Sequence, residues 1–350
     1  MSIFNYKKIL LKKSNYIIAE IGVNHECSLK QAKKLIFLAK KGGASAAKFQ
    51  SYKAELLASK DSKAYWDTKK EKTKSQYELF SKYDKFDESE YVILSKYCKK
   101  IGIDFLSTPF DLNSVVYLKK LVPAFKISSS DITNIPLIEK IALTKKPILL
   151  STGASNLNEI KNAIRLIETN GNKQIVLMHC ILNYPTENIN ANLSMIESLK
   201  HEFPKYVIGY SDHTLPDQSM LNLTTAFMLG AKVIEKHFTI NKKKRGNDHY
   251  HSMDFKNLKK FTKNLKDINL LLGKFKKKSV AKCENKSRKF ARRSIVLKKS
   301  LKKGSTLNSN NLICLRPVKG IPASQWKRVL GKKLKKNRPL GHHLKPGDLK

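Results

Sequence analysis

Eight short apolar runs punctuate the first two-thirds of the chain: YIIAEIG (16–22), ASAAKFQ (44–50), IDFLSTP (103–109), AFKISSS (124–130), PILLSTG (147–153), QIVLMHC (174–180), YVIGYSD (206–212) and KVIEKHF (232–238). Each is strand-length and is followed by a segment with helical spacing. Ser28-x-x-Gln31 opens one such segment as a capping box, with Leu35, Ile36 and Ala39 inward and Gly42 and Gly43 as the stop. Asn156-x-x-Glu159 repeats the device ahead of Ile160, Ala163, Ile164 and Ile167, closed by Gly171. Strand and helix alternating eight times predict an α/β fold, a (β/α)8 barrel. A doubly wound open sheet ranks second, because no GxGxxG follows the first strand.

The texture changes near residue 273. GKFKKKSVAKCENKSRKFARR (273–293) is rich in lysine and poor in large apolar side chains, and reads as a linker. Beyond it come short alternating strands and turns. The predicted organisation is a barrel over 1–275, a linker over 276–292 and a small β-rich module over 293–350, short enough to lean on another surface for stability.

Composition narrows the classes. A chain of 350 residues with 41% hydrophobic content can build a sizeable core. No apolar run is long enough to span a bilayer and the first residues lack a signal-peptide pattern, so the expectation is a cytoplasmic protein without a membrane partner. Five cysteines, widely spaced and without a CxxC pair, point to free thiols. The net charge of +41 raises the question of a polyanionic partner. Arginine, the preferred reader of bases and phosphates, occupies only eight positions, and lysine is scattered over most helical segments. Solvated lysine faces are therefore favoured over a specific nucleic-acid site.

In a barrel of this kind the chemistry sits at the carboxyl ends of the strands. Those ends are polar almost throughout: Glu20 with Asn24 and His25; Lys48 and Gln50; Ser107 and Thr108; Lys126, Ser129 and Asp131; Ser151 and Thr152; His179 and Asn183; Ser211, Asp212 and His213; Glu235 and His237. A lone serine or threonine there most often caps the next helix. Lys48 and Lys126 are different, because an ammonium inside an apolar strand needs an anion. A ligand anion, phosphate or carboxylate, is favoured over an internal salt bridge. His213 and His237 end adjacent strands and suit one borderline divalent metal, with Glu20 and Asp248 as oxygen ligands or supporting partners. Ser211-Asp212-His213 lacks the GxSxG elbow of a hydrolase, so a hydrolytic triad is the weaker reading.

Taken together, AEIGVNHECS, AAKFQSYKA, FLSTPFD, FKISSSDITNIPLI, LLSTGAS, HCILNYPTE, IGYSDHT, EKHFT and GNDHYHSM resemble, in order, the motifs of the sialic acid synthase family. The closing module resembles that family's antifreeze-like SAF domain, a β-clip fold. The resemblance implies condensation of phosphoenolpyruvate with an open-chain N-acetylated hexosamine and water, giving a nonulosonic acid and phosphate by C–O cleavage of a tetrahedral intermediate. N-acetylmannosamine ranks first as the sugar, giving N-acetylneuraminate. A 2,4-diacetamido-2,4,6-trideoxyhexose, the substrate of legionaminic or pseudaminic acid synthases, is the alternative. By the same resemblance Lys48, Thr108, Lys126, Ser129, Ser151, Asn183, Ser211 and His213 would hold phosphoenolpyruvate. Glu20, Gln50, Asp131, Asp248 and Arg316 would face the sugar, and Glu20, Lys48, Lys126 and Asp131 would be catalytic. His213 and His237 would bind the metal, Mn2+ ahead of Mg2+ or Co2+. Arg316 would come from the SAF domain of a partner in a domain-swapped homodimer. Asp131 and Ser130 stand where many members carry Glu and Gly, a departure that bears on the sugar more than on the reaction. A keto-acid synthase acting on a phosphorylated sugar should show a second phosphate site, and none is evident. A non-catalytic polyanion-binding protein is the alternative from another class, and ice binding fits poorly with so many surface lysines.

Overall fold

The computed structural model describes residues 2–11, 14–66, 68–69, 71–246, 248–273 and 277–350. Two units result, Met1–Leu272 and Gly273–Lys350.

In the first unit all eight predicted runs are strands: β1 (Tyr16–Gly22), β2 (Ala46–Ser51), β3 (Asp104–Pro109), β4 (Phe125–Ile127), β5 (Ile148–Ser151), β6 (Ile175–Cys180), β7 (Val207–Asp212) and β8 (Val233–His237). They form one parallel sheet in the order β3-β2-β1-β8-β7-β6-β5-β4, and its end strands β3 and β4 pack together, which closes the barrel. β4 is the shortest because Ser129–Asp131 leave the strand as a turn of 3-10 helix. Apart from the half-buried Gln50, every strand residue is buried, so polar side chains on these strands either face the closed interior or lie under the helices.

The Asn156 box closes as predicted: the side chain accepts from the Glu159 N–H while Glu159 accepts from the Asn156 N–H. The Ser28 box is only half made. Ser28 accepts from the Gln31 N–H, but the Gln31 amide donates instead to the Asn24 carbonyl. The connection from β2 to β3 carries three helices, Ala54–Leu57, Gln76–Tyr83 and Glu88–Ile101, and an antiparallel bridge between Lys63 and Ser75. It supplies one wall of the cavity described below.

The second unit pairs β9 (Ser294–Leu297) with β10 (Leu312–Leu315) in antiparallel fashion. Its core is small, built on Ile295, Leu297, Leu307, Leu312, Ile321, Val329, Leu334 and Leu344. The predicted linker is not wholly extended: Asn285–Ala291 is helical, while residues 274–276 lie outside the described residues. Among the described residues no helix is long and apolar enough to cross a membrane.

Candidate active site at the carboxyl ends of the strands

A cavity of about 580 Å³ opens at the carboxyl ends of the barrel strands. The period-2 geometry of each strand decides which polar side chains reach it. In IGYSDHT, Ser211 and His213 point in while Asp212 points out. In VIEKH, Glu235 and His237 point in while Lys236 points out. In FLSTP, Thr108 faces the cavity and Ser107 bonds Ser51 at 2.7 Å on the outer side. The serines do not cap helices here: Ser211 donates to Glu235 at 3.0 Å, and Ser151 Oγ is buried without a hydrogen bond among the described residues.

The two lysines lie in a compact charged cluster. Lys48 Nζ is 2.7 Å from Glu20 Oε2 and 3.7 Å from Glu235 Oε1, and donates to Thr108 Oγ1 at 2.8 Å. Lys126 Nζ is 3.4 Å from Glu235 Oε1. The expectation of a ligand anion as the lysines' counter-charge is therefore corrected: both have internal carboxylate partners. The physical reason is that ammonium groups this deeply buried require compensation within the fold.

The two carboxylates differ. Burial pushes the Glu20 carboxyl up to about 7, with Lys48 opposing and Glu235 adding to the rise. Burial also acts on Glu235, but Lys126 and Lys48 outweigh it and hold this carboxyl below its ordinary value. Below pH 7 the cluster is thus two ammonium groups facing one ionised carboxylate, a net positive site lined by Thr108, Ser129, Ser151 and Ser211. Ser129 is oriented by Gly153, whose N–H donates to its Oγ at 2.9 Å. A Cβ on Gly153 would come within 2.8 Å of that oxygen, so only glycine allows the approach.

The second cluster is aromatic and basic. The His213 and His237 rings lie 5.6 Å apart, and His251 lies 4.8 Å from His237. His213 Nδ1 is 2.7 Å from the Ile181 carbonyl oxygen, which fixes the proton on Nδ1 and leaves the Nε2 lone pair. Burial lowers His213 to about 4 and holds His237 well below its usual value, so both rings are neutral at pH 7. Asp248 Oδ2 is 3.4 Å from His237 Nδ1, and burial raises this carboxyl to about 6. Ligand atoms of His237, Asp248 and His251 lie within 4.8 Å of one another. Such neutral imidazoles beside a carboxylate are a donor set a borderline divalent cation fits. Of the two oxygen ligands considered from sequence, Asp248 joins this group and Glu20 does not.

Behind the histidines Lys236, whose side chain has no exposure, ion-pairs with Asp212 at 2.6 Å and donates to the Thr214 carbonyl at 2.6 Å. The pair ties the ends of β7 and β8 together one residue ahead of each imidazole. It also commits Asp212 to the outer face, along with the Tyr210 hydroxyl, so Ser211, Asp212 and His213 cannot act as a hydrolytic triad.

Gln50, Asp131 and Asp248 all line the cavity, and Asp131 accepts from Ser128 at 2.6 Å. Asn183 is not brought in. It is exposed, and Leu182 and Tyr184 line the wall instead. Arg316 is exposed on the second unit. His179 turns away to the Ala191 carbonyl and stacks on Tyr210. Glu235, noted only as a polar strand end, lies between the two lysines; its alternation with His237 in VIEKH was the available signal. His251, Cys180 and Tyr184 were not singled out. Nor were Leu57, Tyr65, Leu79, Phe80 and Tyr83, the apolar wall from the β2–β3 connection.

A closed parallel barrel with buried lysines, convergent hydroxyls and an imidazole–carboxylate cluster at one mouth defines a (β/α)8-barrel enzyme with a small C-terminal module. Residues 35–277 match the NeuB family model and residues 292–350 the SAF domain model. The chain belongs to the NeuB family. It is 42% identical over 330 residues to N,N'-diacetyllegionaminic acid synthase of Campylobacter jejuni, covering 93% of this chain and 97% of that protein. It is 38% identical over 336 residues to the enzyme of the same name from Legionella pneumophila, covering 94% and 93%. Among solved structures, the N-acetylneuraminic acid synthetase of Leptospira borgpetersenii in complex with citrate superposes with a TM-score of 0.69 at 31% identity, covering 78% of this chain and 90% of that one.

Proposed function

We propose that this enzyme condenses phosphoenolpyruvate with an open-chain 2,4-diacetamido-2,4,6-trideoxyhexose and water to give a diacetamido nonulosonic acid and phosphate. The observation that carries the reaction is the mouth itself: two buried lysines and a buried serine hydroxyl with no hydrogen bond among the described residues, beside a neutral imidazole–carboxylate cluster, all in one cavity. The trideoxy sugar is supported by the two legionaminic acid synthases and by the apolar wall of Leu57, Tyr65, Leu79 and Phe80, which suits a methyl group at C6 and two acetamido methyls. These move it ahead of N-acetylmannosamine, the sugar ranked first from sequence.

Lys48 and Lys126 would bind the phosphate and carboxylate of phosphoenolpyruvate, with Thr108, Ser129, Ser151 and Ser211 donating to the same oxygens. C3 of phosphoenolpyruvate bonds to the aldehyde carbon, water adds to the cationic C2, and phosphate leaves with the bridging oxygen as C2–O breaks. Glu20, protonated once the anion is bound, would give its proton to the aldehyde oxygen as the C3–C bond forms and then take one from that water. Glu235 would keep the lysines charged and parallel. Gln50, Asp131 and Asp248 would orient the sugar. His213 and His237, with Asp248 and His251, would hold a divalent metal, Mn2+ for preference, and such an ion supplies Lewis-acid polarisation of the aldehyde oxygen. The test uses phosphoenolpyruvate labelled with 18O at the bridging position. Label recovered in phosphate, with faster turnover of the diacetamido sugar than of N-acetylmannosamine, is expected; label retained in the sugar acid would overturn the bond assignment.

The same reading includes a homodimer in which Arg316 of one copy serves the site of the other, and a cytoplasmic location where phosphoenolpyruvate is available. Mixing the Arg316→Ala and Lys126→Ala proteins tests the swap. Random reassortment should restore about a quarter of wild-type activity if the arginine acts in trans, and none if it acts within its own chain.

A further inference from the structure

The barrel unit and the C-terminal module carry their charge differently. Residues 1–272 hold 44 Lys and Arg against 26 Asp and Glu; residues 292–350 hold 17 against one. That one acid, Asp348, is buried and paired with Arg338 and His342. The module therefore exposes no acidic side chain, and the composition that dilutes cations with carboxylates in the barrel does not hold there.

The fold gathers these cations. The segment 298–304 runs beside 333–341: Leu301 and Arg338 exchange N–H to carbonyl hydrogen bonds at 2.9 Å, Lys303 N–H donates to Asn337 Oδ1 at 2.8 Å, and Gly304 N–H donates to the Leu334 carbonyl at 2.8 Å. Leu340 N–H donates to Ser300 Oγ at 3.0 Å. Lys298, Lys299, Lys302, Lys303, Lys332, Lys333, Lys335 and Lys336 are thus all exposed along one paired ribbon, and Leu340, 66% exposed, stands beside Ser300 at its end.

We propose that this face docks the enzyme on an anionic lipid bilayer surface. Three features favour lipid over nucleic acid. The eight cations are all lysine, which suits diffuse attraction to headgroups more than bidentate phosphate reading. Trp326 is the one Phe, Tyr or Trp of 292–350 and is partly buried, and the His342 and His343 rings are held by Asp348 and Ser294, so the ribbon offers no exposed stacking platform for bases. A protruding leucine at the end of the lysine ribbon has a natural place at the headgroup boundary. The absence of a spanning segment bears only on insertion, not on such peripheral docking. Each lysine at an anionic surface multiplies partitioning by roughly fivefold, so several act together.

The test is co-sedimentation of the full-length protein with vesicles of phosphatidylcholine alone or with about one-third phosphatidylglycerol, near physiological salt. Binding is expected only to the anionic vesicles. The variant Lys299→Gln/Lys302→Gln/Lys333→Gln/Lys336→Gln should lose at least tenfold in partitioning with unchanged turnover, since none of these residues belongs to the catalytic site. Leu340→Ser should weaken the binding that remains at raised salt. An equal change on the barrel surface (Lys34→Gln/Lys100→Gln/Lys119→Gln/Lys120→Gln) should cost much less. No binding to anionic vesicles by the wild-type protein overturns the proposal without reference to any variant. So do equal losses from the two sets of variants, or tighter binding to polyuridylate that ignores Leu340.

Discussion

Lys48, Lys126 and Lys236 are buried in the barrel unit, the first two facing its cavity and the third lying under the helices, and each has a carboxylate oxygen within 3.4 Å. The eight lysines along 298–303 and 332–336 are all exposed, and none forms an ion pair among the described residues. Solvation explains the difference. A buried ammonium without a partner costs several kcal/mol, so the barrel places a carboxylate opposite each one, whereas water and salt compensate an exposed lysine. The barrel's charges are thus mutually dependent and fixed in geometry, and those of the module are independent and free to meet a partner surface.

The sharpest way to break this contrast is to remove one member of the buried set. Lys126→Ala should lower kcat/KM by about 10³-fold, because the site loses an anion-binding ammonium and leaves Glu235 poorly compensated. A steady-state assay on protein shown to be folded by circular dichroism checks it, and a loss below tenfold would remove Lys126 from the anion site.

Next in size is the tie behind the histidines. Lys236→Met should destabilise the fold by about 3–5 kcal/mol by stranding Asp212, as read by urea unfolding. The double variant Asp212→Leu/Lys236→Met should recover most of that stability yet bind Mn2+ more weakly than wild type in a direct titration. Full recovery of both would reduce the pair to a filler of space.

A smaller effect concerns Glu20. Its carboxyl is raised by burial to about 7, so near that pH it is partly ionised, and an incoming anion beside it must raise it further. Binding of phosphoenolpyruvate at pH 7 to 7.5 should therefore take up a fraction of a proton more in wild type than in Glu20→Gln. Calorimetry in buffers of different ionisation enthalpy reads this difference, and equal proton uptake would place the ionisation elsewhere.

The smallest effect belongs to the exposed set. Any single change such as Lys299→Gln should shift stability by no more than about 0.5 kcal/mol. A larger loss in thermal unfolding would mean that these lysines, like the barrel's, have partners.

The same physics sets what the chain reveals before it folds. All eight barrel strands are legible, because apolar runs bounded by polar ends and helical spacing are local signals. The inward residues Lys48, Thr108, Lys126, Ser211, His213 and His237 are legible for the same reason, since strand ends are known once strands are. Partnerships are not. That Glu235 sits between Lys48 and Lys126 depends on the closure of the barrel, which brings β2, β4 and β8 to one mouth. The apolar wall was missed because Tyr65 and Phe80 lie in a connection with no strand period, and the helix at Asn285–Ala291 was hidden by lysines that read as linker. Asn183 follows β6 in sequence and matches the family's motif, yet it lies in the loop beyond the strand, where no strand period fixes its direction, and it is exposed.

The most direct test of the central claim is phosphate release from phosphoenolpyruvate by metal-stripped protein, with and without Mn2+, and with the diacetamido sugar, N-acetylmannosamine or no sugar. The account predicts release only when Mn2+ and a sugar are both present, fastest with the diacetamido sugar. No release with any sugar, from folded and metal-loaded protein, would contradict it.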